Sequence, residues 1–219
     1  MVIKKWKDIL SITSGKNQRE VENPNGRYPI FGSGGIIGRS DSFLCEANTV
    51  IIGRKGTIDN PIYVSEPFWN IDTAFGLVSG EELFPKYLYY FCKIYNFKAL
   101  DKFTGRPSLS KSDLLKVEIP VPPFEDQHRI VTRIEEFFSQ LDSGVETLKK
   151  TKEQLKVYRQ AVLKEIFEKY NNFCKISEVC SNIVDCPHST PKWTSSGKLC
   201  LRTTNFRRSY LDLSEPNYV

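Results

Sequence analysis

The longest uninterrupted helical signal in this 219-residue chain runs from Pro122 to Lys169, and any fold must accommodate it. Pro122-Pro123 is a helix-start signal, since proline fits the first helical turn and nothing deeper. Glu125 and Asp126 follow, where the helix dipole favours acids. No further proline or paired glycine appears until well past Lys169. Ile134, Leu141, Leu148, Leu155 and Val162 recur every seven residues, and Phe138, Val145 and Ile166 each sit four residues after a member of that row. Such alternating spacing is the apolar seam of a coiled coil. Lys152 and Arg159 break its second row, and Gly144 costs roughly 1 kcal/mol of helix propensity. A helix from Glu125 to Lys169 rises about 66 Å at 1.5 Å per residue, more than the diameter of a small domain. It must pack on something outside its own domain or hold two things apart.

The rest of the composition is that of a soluble globular chain, with 40% apolar residues and a mean hydropathy of -0.37. No run of 18 apolar residues suggests a membrane span, and Met1-Val2-Ile3-Lys4-Lys5-Trp6-Lys7 lacks the apolar core of a secretory signal, so a cytoplasmic location is expected. The net charge of +5 is unevenly spread. Residues 1–124 carry 16 basic and 13 acidic groups, residues 125–170 carry 9 and 9, and residues 171–219 carry 6 and 4. The long helix is therefore neutral and its flanks are basic, which is compatible with a nucleic-acid partner. The six cysteines, at 45, 92, 174, 180, 186 and 200, form no Cys-x-x-Cys pair. Cys174, Cys180, Cys186, His188 and Cys200 lack the tight spacing of a zinc site, so no metal is expected and the thiols read as free and buried. His128 and His188 are the only histidines, which leaves little for histidine-based catalysis.

Residues 1–121 read as an α+β domain of short mixed strands and a few helices. Residues 4–12 form a short helix or strand docking Trp6, Ile9 and Leu10, and Asn23-Pro24-Asn25-Gly26 has the composition of a hairpin turn. Strands are expected at Tyr28–Phe31, Asn48–Gly53, Pro61–Val64 and Val117–Val121, with a β-rich run over Phe68–Val78. The Gly32–Gly38 cluster misses the dinucleotide-binding spacing and reads as a bend between strands. Phe84–Asn96 reads as a largely buried helix, and Leu109–Leu115 as a short one capped by Ser110 or Ser112. After the long helix the chain begins again: Lys175–Val179 echoes Lys5–Ile9, and Gly197–Arg202 echoes Gly26–Phe31. The similar order and interval indicate an internal repeat with a period near 170 residues, of which 171–219 is an incomplete second copy.

Four stretches carry a family resemblance. They are Asn48–Thr57, Pro67–Phe75, Ser108–Leu115, and Ile119-Pro-Val-Pro-Pro-Phe-Glu-Asp-Gln127 with Ile130 after it. Together they resemble the DNA-specificity subunit of type I restriction-modification systems, in a half-length or truncated form. The resemblance implies a target-recognition domain at 1–121, a spacer helix at 122–170 and the start of a second recognition domain at 171–219. It implies a non-catalytic role: choosing a bipartite site on double-stranded DNA for modification subunits carrying S-adenosylmethionine, and through them for restriction subunits using ATP and Mg. No cofactor is expected in this chain. It implies antiparallel pairing of spacer helices, here through Ile134, Phe138, Leu141, Val145, Leu148, Leu155, Val162 and Ile166 of a second copy. The polar faces around Glu135, Glu136, Lys149 and Lys150 leave room for other chains.

A reader of this kind needs donors on loops able to enter a groove. The candidates are Lys16, Asn17, Arg19, Arg39, Arg54, Lys55, Lys102, Arg106, Ser108 and Lys111. Arginine pairs bidentately with guanine, while lysine mostly meets phosphate. Arg54, Lys55 and Arg106 stand out because they sit on glycine-flanked turns. Two other classes compete. An adenine methyltransferase needs Asn or Asp before Pro-Pro-Tyr/Phe, and Val121 stands there instead; a nuclease needs clustered acids, whereas Glu66, Asp72, Glu81 and Glu82 are scattered. A coiled-coil structural adaptor would not require the folded first 120 residues.

Overall fold

A computed structural model describes residues 2–102, 105–170, 173–183, 191–207 and 210–219. The chain divides into two compact units, Met1–Glu153 and Gln154–Val219, the division falling inside the long helix. The first unit is an α+β domain. Its central sheet is antiparallel, in the order β2 (Leu10–Ser14), β8 (Ala74–Ser79), β5 (Thr49–Gly53), β6 (Ile62–Val64). β5 is buried along its whole length, which explains its unbroken apolar run. Its alternation sends Val50 and Ile52 to one core and Ile51 to another. The first core also holds Trp6 and residues of α2 (Pro85–Ile94), while the second holds Phe31, Cys45 and Phe68. A smaller sheet pairs β3 (Tyr28–Gly32) with β4 (Gly35–Ser40) antiparallel and with β7 (Trp69–Asn70) parallel.

The opening residues resolve into β1 (Val2–Lys5), the one-turn α1 (Trp6–Ile9) and β2. β1 pairs antiparallel with β9 (Glu118–Val121), so the first strand lies beside the strand that enters the long helix. α3 (Lys111–Leu114) is capped by Ser110, whose hydroxyl accepts from the Asp113 N–H at 3.1 Å. Three sequence expectations are refined. The glycine cluster does turn the chain between two strands, at Ser33-Gly34, but Gly35–Gly38 itself belongs to β4, so the cluster forms a β3–β4 hairpin. Asn23–Gly26 is a turn, with the Gly26 N–H on the Asn23 carbonyl at 2.8 Å, but the strands it separates lie in different sheets. α2 is buried on one face only, through Leu88 and Cys92, with Ile94 85% exposed.

α4 (Phe124–Glu168) is the long helix, 45 residues without a break. Gln127 fixes its start. Fully buried, it accepts the Phe84 N–H at 2.8 Å and donates to the carbonyls of Glu82 (2.8 Å) and Pro122 (3.0 Å). His128 stacks on Phe84 with ring centroids 3.7 Å apart, and Val131 is buried one turn on. Glu135 is held by Lys86 at 2.6 Å, and Glu136 by Arg133 at 3.0 Å. The second unit contains α5 (Ile176–Val179), β10 (Thr194–Cys200) and β11 (Asn217–Tyr218), the two strands antiparallel. Among its described residues Asn205 alone is buried, tied to Arg202 and Asp212 by its side-chain amide.

Among the described residues no group of three metal-ligating side chains is brought together, and no helix is long and apolar enough to cross a membrane. Cys186 and His188 lie outside the described residues. The other five cysteines are free, but only Cys45 and Cys92 are buried; Cys174 and Cys180 are exposed and Cys200 is half-buried, which corrects the expectation of burial for those three. Burial pushes the Cys45 thiol up to about 11, a hydrogen bond with Thr13 offsetting part of the effect.

Candidate nucleic-acid interface

The turn after β5 and the loop before α3 lie some fifty residues apart in sequence and meet in space. The Gly56 N–H donates to the Pro107 carbonyl at 2.9 Å, the Leu109 N–H donates to the Arg54 carbonyl at 2.8 Å, and Lys55 bridges to Ser108. Arg54, Lys55, Arg106 and Ser108 are thereby brought together. Gly56 has φ +86, a left-handed conformation that suits glycine. Its missing side chain also makes room: a Cβ there would stand 3.0 Å from Arg106 Nη2 and 3.3 Å from Nε. The Arg106 guanidinium thus lies over the bare backbone of Gly56. Arg54 is held differently, with its guanidinium 5.6 Å above the Phe75 ring centroid and Nη1 3.4 Å from the Asp72 carbonyl. Lys55 and Arg106 are exposed and Arg54 half-exposed.

A chain of backbone hydrogen bonds joins this pair of loops to the segment after β2. Both Arg54 and Lys55 donate their N–H groups to the Thr73 carbonyl, at 2.8 and 3.2 Å. Residues 69–70 carry the link onward: the Lys16 N–H donates to the Asn70 carbonyl at 2.9 Å, and the Trp69 side chain donates from Nε1 to the Lys16 carbonyl at 3.0 Å. Lys16, Asn17 and Arg19 are exposed there, with Asn17 Oδ1 accepting the Arg19 N–H at 3.0 Å in an Asx turn. Lys16, Arg19, Arg54, Lys55 and Arg106 therefore sit on turns of one connected edge.

The remaining candidates are differently placed. Arg39 donates to the carbonyls of Gly26 and Arg27, both at 2.6 Å, and ties β4 to the turn before β3. Lys102 Nζ is 2.8 Å from Asp113, and Lys111 Nζ donates to the Ile12 carbonyl at 2.7 Å. Hydrogen bonds from Lys102, Ser110 and Lys116 hold the Asp113 carboxyl well below the usual carboxylate range. On α4, Ile134 and Phe138 line a groove of about 570 Å³ with Tyr87, Tyr90 and Ile94 of α2, the rings of Tyr90 and Phe138 being 6.1 Å apart. Phe138 nevertheless stays 52% exposed. Leu141, Val145, Leu148, Leu155 and Ile166 are exposed, and Val162 is half-buried.

Sequence reasoning missed Gln127 as the clamp on α4 and Gly56 as the rest for Arg106. The first had a signal, since Gln127 closes the Pro-Pro-x-Glu-x-Gln motif; the second depends on a contact between distant loops and had none.

Residues 1–157 match the model of the type I restriction modification DNA specificity domain. The chain is 20% identical over 158 residues to the EcoDI specificity subunit of a type I restriction enzyme from Escherichia coli, covering 71% of this chain and 35% of that protein. Its fold resembles that of the type I restriction-modification S subunit from M. genitalium, with TM-score 0.55, 24% identity, and 65% of this chain and 40% of the other covered. It also resembles the HsdS subunit from Thermoanaerobacter tengcongensis, with TM-score 0.60, 20% identity, and coverage of 75% and 44%. A third chain, from structural work on assembly and conformational transition of the type I R-M system, aligns with TM-score 0.60 and 22% identity over 76% of this chain and 45% of its own. The chain spans about a third of the curated relative and under half of each solved one.

Proposed function

This chain belongs to the type I restriction modification DNA specificity domain family, and from that premise we propose that it is a non-catalytic subunit that binds double-stranded DNA and chooses the sequence. The observation that carries the reading is the joined turn surface of Arg54, Lys55 and Arg106. The Arg54 guanidinium is seated over Phe75 and that of Arg106 lies beside Gly56, with exposed Lys55 on the same pair of turns. A side chain already seated, as Arg54 is, loses less freedom on binding, and the planar fork of arginine matches the O6/N7 edge of guanine. Lys16, Asn17, Arg19 and Ser108 extend the surface along the same edge, with phosphate contacts positioning the duplex.

In the fuller proposal, this domain reads half of a bipartite site, and the exposed stripe of α4 from Leu141 onward pairs antiparallel with a second copy. Two identical readers specify a palindromic site with unspecified bases between its halves. Modification subunits supply methyl transfer and restriction subunits supply cleavage, docking along the helix and its junctions.

The test is binding of Arg54→Ala, Arg106→Ala, Lys55→Ala, Lys102→Ala and Lys111→Ala to cognate and scrambled duplexes across salt, with modification subunits present. Each arginine variant should lose about 1–3 kcal/mol on the correct base and relax choice at that position. Lys55→Ala should weaken all duplexes alike and flatten the salt dependence by about one unit of slope. Lys102→Ala and Lys111→Ala should flatten it less, because those ammonium groups already serve Asp113 and the Ile12 carbonyl. Wild-type binding by both arginine variants refutes the reading.

A further inference from the structure

We propose that the tip of the β3–β4 hairpin reads a thymine methyl group, through Ile36 and Ile37, next to the base pair read by Arg54; this rests on the DNA-reading function above. The hairpin turns through Ser33-Gly34, with Gly32 opposite Gly35, and β7 pairs with β3 only at Ile30 and Phe31, short of the tip. A Cβ at Gly34 or Gly35 would meet nothing within 4 Å, so the tip is open on those sides. β4 pairs Ile36 with Phe31 and Gly38 with Ile30, leaving Ile37 as the extra residue of a bulge. Bulges re-aim side chains, and they recur next to functional sites. Ile36 is 66% and Ile37 52% exposed, two adjacent branched apolar side chains at the end of a ribbon.

Their surroundings say what covers them. Over the backbone of Gly32, a Cβ would lie 3.6 Å from Ile37 Cγ2, 3.5 Å from Ile71 Cδ1 and 3.7 Å from Thr73 Oγ1, so these three side chains converge there. The carbonyl of the same Thr73 accepts the N–H groups of Arg54 and Lys55. The apolar tip and the basic turn are therefore neighbours sharing one residue. A patch flanked by the seated guanidinium of Arg54 and the exposed ammonium of Lys55 suits a polyanion that also displays an apolar group. The major groove of DNA admits a two-stranded β-ribbon, and the one methyl group that the four bases present there is the C5-methyl of thymine. Isoleucine gains more from that methyl than from any other base edge. Thr73 and Ile71 would complete the contact from the side of the loop, which places the thymine beside the guanine met by Arg54.

The experiment changes the DNA rather than the fold. A randomised duplex library is prepared once with thymine and once with uracil, which lacks only the C5-methyl. Each is selected on the full chain with the modification subunits of its host, and bound duplexes are sequenced. With wild type, one A·T pair adjacent to an enriched G·C pair should be enriched in the thymine library and lose about fourfold in the uracil library, the effect of one methyl group left in water. Ile37→Ala should lose the methyl-dependent A·T preference in the thymine library, change nothing in the uracil library, and keep the G·C preference in both; Arg54→Ala should lose the G·C preference and keep the methyl-dependent one. An A·T preference equally strong with uracil, or one that survives Ile37→Ala, overturns the proposal, and the latter is the result expected if the isoleucines seat another protein instead. Should Ile37→Ala fold poorly, the two libraries on wild type decide alone. A wild type that enriches no sequence in either library refutes the DNA-reading function itself.

Discussion

Replacing Gln127 by alanine removes three hydrogen bonds at the point where α4 leaves its domain. The side chain is fully buried, and its partners are the Phe84 N–H and the carbonyls of Glu82 and Pro122. At about 0.5–1.5 kcal/mol net for each bond, the loss is roughly 1.5–4.5 kcal/mol, and alanine's better helix propensity returns only a few tenths. For a chain of this size each kcal/mol shifts Tm by about 2–4 °C, so a central loss of about 3 kcal/mol lowers Tm by about 6–12 °C. Tryptophan fluorescence reports it directly, because Trp6 and Trp69 are buried in the same unit. Gln127→Glu should be as damaging, since a carboxylate keeps an acceptor for Phe84 but faces two carbonyls with no donor. An alanine variant that melts within about 2 °C of wild type refutes the view that this side chain clamps the helix.

Helix pairing gives the next prediction: Leu148→Asp with Leu155→Asp should turn a dimer into a monomer by placing unpaired charge in the seam, and light scattering that finds wild type monomeric at high micromolar concentration contradicts it. The pH dependence of stability should carry a contribution from Asp113. Its folded pKa lies below the ordinary 3.8, owing to hydrogen bonds from Lys102, Ser110 and Lys116, so its stabilising effect is fully present above that value and is lost as pH falls through the folded pKa. The Tm difference between wild type and Asp113→Asn should therefore be largest near neutrality and shrink below pH 3.8; a difference constant down to pH 2 would count against that ion-pair cluster.

The long helix was legible almost to the residue, because Pro122-Pro123 and the heptad row are local signals, and α4 begins at Phe124 and ends at Glu168. β5 was legible because a strand buried on both faces reads as a continuous apolar run. The glycine-rich hairpin was not, since residues 32–38 carry little β propensity and their pairing depends on a bulge. The aromatic content of residues 84–96 suggested a largely buried helix, but only Leu88 and Cys92 of α2 are buried and its tyrosines are half-buried, with Tyr87 donating to the Pro120 carbonyl at 2.9 Å. For the interface, the glycine-flanked turns pointed to Arg54, Lys55 and Arg106 individually. That they form one surface, and that Lys102 and Lys111 have partners of their own, rests on contacts between loops far apart in sequence.

The most direct test of the account is the methylome of cells carrying this chain with its host's modification subunits, compared between wild type and Arg54→Ala. If the chain chooses the sequence, wild type yields one methylated motif with two specified halves, and Arg54→Ala relaxes one base in each half while leaving the distance between them unchanged. A motif identical in the two strains, or one that persists when this chain is deleted, would contradict it.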